Sequence, residues 1–181
     1  MRREIFKTIE IPEGIEVEIN GKEVVVKGPE GENRREFSLG KIKIERGENF
    51  LKVGYESSTK KEKKIINTSV SHIKNMILGV QKKFEYFLKI CSSHFPMNVV
   101  VENNKFIIKN FLGERIARKS RIMENVEVQI DGEIIIVKST NKELAGQTAA
   151  NLEKATRITG RDRRIFQDGI FITNKFGREN A

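Results

Sequence analysis

Cysteine is nearly absent from this chain: Cys91 is the only one in 181 residues. A single thiol cannot build an internal disulfide framework, so the disulfide-stapled secreted domains are excluded. Tryptophan is missing and proline occurs three times. Long apolar runs are missing too. The longest aliphatic run is Ile134-Ile135-Ile136-Val137, far short of the roughly 18–20 residues that a membrane-spanning helix needs. The start, Met1-Arg2-Arg3-Glu4-Ile5, meets charge at once and has no apolar h-region, so no signal peptide is expected. The chain nonetheless holds too much Ile, Val, Leu and Phe to stay disordered. It reads as a soluble, cytoplasmic globular protein with no membrane partner.

What the chain does have is charge. Lys and Arg number 34 against 25 Asp and Glu, a net of +9. Such a surplus serves solubility or attracts an anionic partner, nucleic acid first. It is unevenly placed: residues 1–80 carry a net of +3 and residues 81–181 a net of +6. Arginine, which makes forked contacts with phosphate, occurs five times in the first stretch and eight times in the second.

The same order of elements occurs twice. Ile15-Glu16-Val17-Glu18-Ile19 alternates like a half-buried strand, and Asn20-Gly21 then turns the chain into Val24-Val25-Val26. Short strands follow at 34–37, 41–44 and 50–53. The period then changes. Ile66, Val70, Ile73, Ile77 and Val80 share one helical face, with a capping-box spacing at Thr59–Glu62 and Gly79 near the end. In the second half Phe84, Tyr86, Leu88 and Ile90 alternate. Val99–Val101 and Phe106–Ile108 flank Asn103-Asn104, and Thr140–Glu143 repeats the capping-box spacing before a second helix. Lys27-Gly28-Pro29-Glu30-Gly31-Glu32 matches Lys109-Asn110-Phe111-Leu112-Gly113-Glu114 at an offset of 82. The expected fold is α+β: two tandem duplicated domains, 1–80 and 81–181, each a small, mainly antiparallel sheet packed with one helix.

Enzyme signatures are absent from the sequence. There is no Gly-Lys-Ser/Thr phosphate loop and no Gly-x-Gly-x-x-Gly. One Cys and two His cannot fill a zinc site of the usual kind, and no metal or cofactor is expected. Cys91 lies three residues from His94, but at the end of a strand it reads as a structural thiol. Asp131-Gly132 and Asp168-Gly169 read as turns before strands.

Two segments gather the positive charge. Arg157, Arg161, Arg163 and Arg164 fall within eight residues after the second helix. A loop of this kind can wrap phosphates with guanidinium forks. Upstream, Lys105, Lys109, Arg115, Arg118, Lys119 and Arg121 share a stretch with a single acidic residue, Glu114. Arg-rich loops without an aromatic stacking platform suit RNA recognised through shape and phosphate.

Val70-Ser71-His72-Ile73-Lys74-Asn75-Met76-Ile77-Leu78-Gly79-Val80 resembles the first-domain helix of the large-subunit ribosomal protein L-six family. Ser93-His94-Phe95-Pro96-Met97 and Asn110-Phe111-Leu112-Gly113-Glu114-Arg115 are similar to its second-domain segments. Gly146–Asn151 and Gly160-Arg161-Asp162-Arg163-Arg164-Ile165-Phe166-Gln167-Asp168-Gly169 resemble the C-terminal signature of its archaeal and eukaryotic branch. The likeness covers about residues 5–175. One departure is Val80-Gln81-Lys82-Lys83-Phe84, where the family more usually has Gly before the Phe. The resemblance implies two duplicated α+β domains. It implies a non-enzymatic structural role in the large ribosomal subunit, bound to large-subunit ribosomal RNA. The implied place is near the stalk base and factor-binding region, beside the sarcin–ricin loop and neighbouring ribosomal proteins. By that analogy the RNA contacts are expected at Lys109, Arg115, Arg118, Lys119, Arg121, Arg157, Arg161, Arg163, Arg164 and Lys175. A free-standing RNA-binding regulator on the same fold, and an enzyme using Cys91, are the alternative readings.

Overall fold

Alternation, turn chemistry and capping set the elements one by one, and the computed structural model describes residues 3–38 and 40–175. The chain divides into two compact units, Met1–Lys83 and Phe84–Ala181. The first contains β1 (Arg3–Glu10), β2 (Glu16–Asn20), β3 (Glu23–Gly28), β4 (Gly31–Glu36), β5 (Lys43–Arg46), β6 (Phe50–Ser58) and α1 (Lys60–Gln81). Its strands form two antiparallel sheets, β1-β6-β5 and β2-β3-β4. Val17, Val24 and Val26 alternate inward and join Ile66, Val70, Ile73 and Ile77 of α1 in one core. Strand β1 has no clean alternation, because Ile5 and Phe6 are adjacent and the register slips between Arg3 and Ile5. Pairing with β6 makes it a strand, which is why periodicity does not mark it.

Helix α1 begins with a complete capping box: Glu62 accepts the Thr59 backbone N–H at 2.8 Å, while the Thr59 hydroxyl caps the first turn. Gly79 does not end it. This glycine is buried within the helix, which runs to Gln81 and closes on Lys82 in extended conformation (φ −149°, ψ 126°), with no glycine required there. The β3–β4 turn approaches this last turn closely. A Cβ on Gly28 would lie 2.8 Å from Val80 Cγ2, and Glu30 N–H donates to the Val80 carbonyl at 3.0 Å.

The second unit repeats the plan and adds to it. Its elements are β7 (Phe84–Cys91), β8 (Asn98–Glu102), β9 (Lys105–Lys109), a short 3-10 turn (Phe111–Gly113), β10 (Arg118–Arg121), β11 (Glu127–Asp131), β12 (Ile134–Ser139), α2 (Lys142–Ala155) and β13 (Gly169–Lys175). The sheet β8-β9-β10 corresponds to β2-β3-β4, and β11-β12-β7 corresponds to β5-β6-β1. Strand β13, paired antiparallel to β7, has no counterpart among the described residues of the first unit. The Arg-rich stretch is the loop leading from α2 into this extra strand. Helix α2 starts one residue later than its sequence spacing suggests. Asn141, not Thr140, is the N-cap, its Oδ1 accepting from Glu143 N–H (2.9 Å) and Leu144 N–H (3.4 Å). The third helical position is then Leu144, which has no carboxylate to return the bond, so no capping box forms.

Candidate nucleic-acid interface

Strand parity sorts the first basic cluster. In β10, Arg118 and Ser120 turn inward while Lys119 and Arg121 stay exposed. In β9, Phe106 and Ile108 are fully buried while Lys105 and Lys109 are exposed. Register places Arg121 opposite Lys105 and Lys119 opposite Ile107, so Lys105, Lys109, Lys119 and Arg121 share the outer face of the sheet.

Arg118 is engaged within the protein. Its Nε and Nη2 fork onto Glu114 at 2.8 and 2.6 Å, and Nη1 donates to the carbonyls of Ala155 (2.9 Å) and Arg157 (3.0 Å). Its guanidinium lies 4.2 Å from the centroid of the Phe111 ring. The Arg118 hydrogen bonds hold the Glu114 carboxyl below its ordinary value, and the charge of Arg161 adds to this. Arg118 therefore ties the first basic segment to the start of the second, some 40 residues away in sequence. The loop before it displays Arg115 and Ile116, both exposed. Buried Phe111 and Leu112 anchor that loop, and Leu112 holds a left-handed conformation (φ 48°), costly for a bulky side chain.

The second basic segment is held at its far end. Asp168 is buried, and its Oδ1 accepts the backbone N–H groups of Ser93 (2.6 Å) and His94 (3.0 Å). Its Oδ2 meets His94 Nδ1 and the Ser93 hydroxyl. Burial alone would push the Asp168 carboxyl up. The hydrogen bonds from His94 and Ser93 and the nearby imidazole outweigh burial and lower it to about 2. Ser93, His94 and Asp168 are not a catalytic relay: the hydroxyl and the carboxylate meet the same ring nitrogen, whereas a relay needs one on each nitrogen. The His94 ring stacks on Phe166 at 4.8 Å, and the Arg161 guanidinium sits 4.8 Å from the Phe166 centroid.

Between these anchors Arg157, Arg161, Arg163 and Arg164 are all exposed. Arg164 pairs with Asp162 (3.0 Å), whose carboxyl it holds below the usual range, yet its side chain keeps 91% of its exposure. A pocket of about 560 Å³ beside the loop is lined by Arg157, Arg163, Phe166 and Lys154, among others. Lys175 is not part of this group. It closes β13 six residues beyond Gly169, about 20 Å along the strand. Lys105 belongs with the sheet-face cations by register. Asp168 and Phe166 hold the loop through partners about 75 residues away, and local sequence carries no signal for that. Cys91 is half-buried at the end of β7.

The model of the family described as "Ribosomal protein L6" matches this chain twice, over residues 11–83 and 95–169. The chain belongs to the ribosomal protein L6 family. Each match falls within one of the two repeated units. Among curated relatives, the large ribosomal subunit protein uL6 of Methanobrevibacter smithii is 47% identical over 171 residues, covering 94% of this chain and 96% of the relative. That of Methanococcus vannielii is 47% identical over 174 residues, 96% of each. That of Sulfurisphaera tokodaii is 43% identical over 172 residues, 94% of this chain and 92% of the relative. Among the described residues no helix is long and apolar enough to cross a membrane.

Proposed function

We propose that the protein is a structural constituent of the large ribosomal subunit that binds large-subunit ribosomal RNA through its second unit. Its proposed place is near the stalk base and factor-binding region, beside the sarcin–ricin loop and the ribosomal proteins there. Family membership supports the setting. The observation that carries the RNA contact is the braced Arg loop. Arg118 holds its start, Asp168 holds its end, and exposed arginines project between them. A loop held at both ends has less backbone ordering to lose when its exposed guanidiniums fork onto phosphate oxygens. Phosphate contacts position a protein on RNA without reading its sequence. The mechanism is scaffolding, with no bond made or broken.

Changing Arg161, Arg163 and Arg164 together to Ala tests this. RNA affinity should fall, and the logarithmic salt slope should flatten by about one unit per lost phosphate contact, with the circular dichroism spectrum unchanged. An unchanged slope would move the interface away from the loop. A footprint on large-subunit RNA should show protection around the sarcin–ricin region; protection elsewhere would relocate the protein. In native extracts it should sediment with the large subunit. A predominantly free pool would favour the regulator reading instead.

A further inference from the structure

The sheet β2-β3-β4 buries Val17, Val24 and Val26 and turns its other face outward. On that outer face Glu16, Glu18, Glu23, Glu32 and Glu36 surround half-buried Val25, with Lys27 and Arg34 as the cations. Five carboxylates against two cations leave a net of −3, in a chain whose total is +9. The outer face of β8-β9-β10 is its complement. There Lys105, Lys109, Lys119 and Arg121 surround half-buried Val100 and Ile107, and four cations against Glu102 leave a net of +3. We propose that the acidic face of the first unit docks the basic face of a second copy of this chain. The contact itself needs no RNA. Its consequence, that cations expected to meet RNA are covered in the free protein, rests on the RNA-binding reading above.

The rows across the strands show where the charge lies. Glu23 faces Glu36 on one side and Asn20 on the other, so this row holds no cation. Among the described residues neither carboxylate is in an ion pair. Lys27, farther along the same strand, is already taken by Glu18 at 2.6 Å. In the second sheet Lys105 lies between Glu102 and Arg121, and that row is net positive. Laid face to face, the sheets can set Lys105 and Arg121 against Glu23 and Glu36, with Ile107 against Val25. Water leaves the apolar centre, and the lower dielectric strengthens the pairs around it. Strands about 4.8 Å apart and residues about 3.4 Å apart give each face only a few hundred Å². A stable interface buries about 800 Å² on each partner, so this contact is weak and salt-labile. It is also heterologous, joining the first unit of one copy to the second unit of the next. RNA, a polyanion, competes for the basic face and is repelled by the acidic one, so it displaces the second copy.

The test uses the full chain, freed of RNA by nuclease and high-salt washing. In sedimentation velocity at low salt the weight-average mass should rise with protein concentration above that of a single chain. At about 1 M salt, where the Debye length is about 3 Å, it should stay at one chain. A single chain at both salts overturns the proposal. Glu23→Lys with Glu36→Lys should remain monomeric at low salt, and so should Lys105→Glu with Arg121→Glu. Mixed together the two variants should associate again, because one supplies an intact basic face and the other an intact acidic face. Association of either variant alone at wild-type strength, or no recovery in a mixture of folded variants, would reject the contact. Carbodiimide, which joins a carboxylate to an amine in direct contact, gives an answer free of any folding defect. In a mixture of isotope-labelled and unlabelled wild-type chains, links from Glu23 or Glu36 to Lys105 of the other chain are expected. Their absence from the associated species overturns the contact. Deproteinised large-subunit RNA should abolish these links. Links that persist in the RNA-bound protein would overturn the covering of the cations and leave the contact standing. If the protein binds no RNA, the reading above fails, and the mass measurement still decides the contact.

Discussion

The sheets β2-β3-β4 and β8-β9-β10 are one structure carrying opposite charge. Both are three-stranded antiparallel sheets, and their first two strands share a register at an offset of 82: Glu16 faces Lys27 in one, and Asn98 faces Lys109 in the other. The third strand is shifted by three more residues, Glu36 facing Glu23 where Arg121 faces Lys105. Their inner faces match, with Val24 and Val26 standing where Phe106 and Ile108 stand, all fully buried. Their outer faces diverge. The first presents Glu16, Glu18, Glu23, Glu32 and Glu36 against Lys27 and Arg34; the second presents four cations against Glu102. Burial holds the inner residues to apolar types, while the outer face is free to follow a partner. The second unit also alone has the Arg loop and β13. Its departures from the shared plan therefore coincide with its positive charge.

The largest effect should come from the shared inner face. Phe106→Ala removes a fully buried ring and should cost about 3–5 kcal/mol in urea unfolding. Val24→Ala at the equivalent place deletes less volume and should cost less. If the two costs were reversed, the correspondence of the sheets would be broken.

Next comes Asp168, whose anchored loop has no counterpart in the first unit. Asp168→Ala leaves the Ser93 and His94 backbone N–H groups without their acceptor and should cost about 2–3 kcal/mol. The folded carboxyl titrates at about 2 against an ordinary 3.8. A depressed carboxyl stabilises above the unfolded value, and that stabilisation is lost as pH falls. Wild-type stability should thus drop by about 2 kcal/mol between pH 4 and pH 2. Asp168→Asn should lack this component; an identical acid profile in the variant would reject the assignment.

Arg118→Lys keeps the charge but loses the fork onto Glu114 and the two carbonyl contacts. It should cost about 1–2 kcal/mol and weaken RNA binding while the salt slope stays unchanged. A flattened slope would instead mean that Arg118 itself meets phosphate. The smallest effect separates the two outer faces: Arg121→Gln should stabilise the free protein by a few tenths of a kcal/mol at low salt, through relief of Lys105. The gain should fade as salt is raised.

Much of this architecture is legible in local sequence, because its causes are local. Side chains alternate on a strand and recur every three to four residues on a helix. The duplicated order, the Asn20-Gly21 hairpin and the Thr59 capping box follow from that. Strand β1 and the start of α2 do not, since one depends on pairing with β6 and the other on which of two adjacent polar side chains reaches the helix end. The site divides in the same manner.

By itself the sequence determined the duplication, the composition of the core and the concentration of arginine in the second unit. Tertiary structure decided which of those cations lie on one face. Parity turned Arg118 inward and Arg121 outward, although they are three residues apart, and pairing set Lys105 opposite Arg121. Folding brought Asp168 to Ser93 and His94, and Arg157 to Arg118, across separations of 75 and 39 residues. The reason is physical: periodicity says which way a side chain points, but only pairing and packing say what it meets.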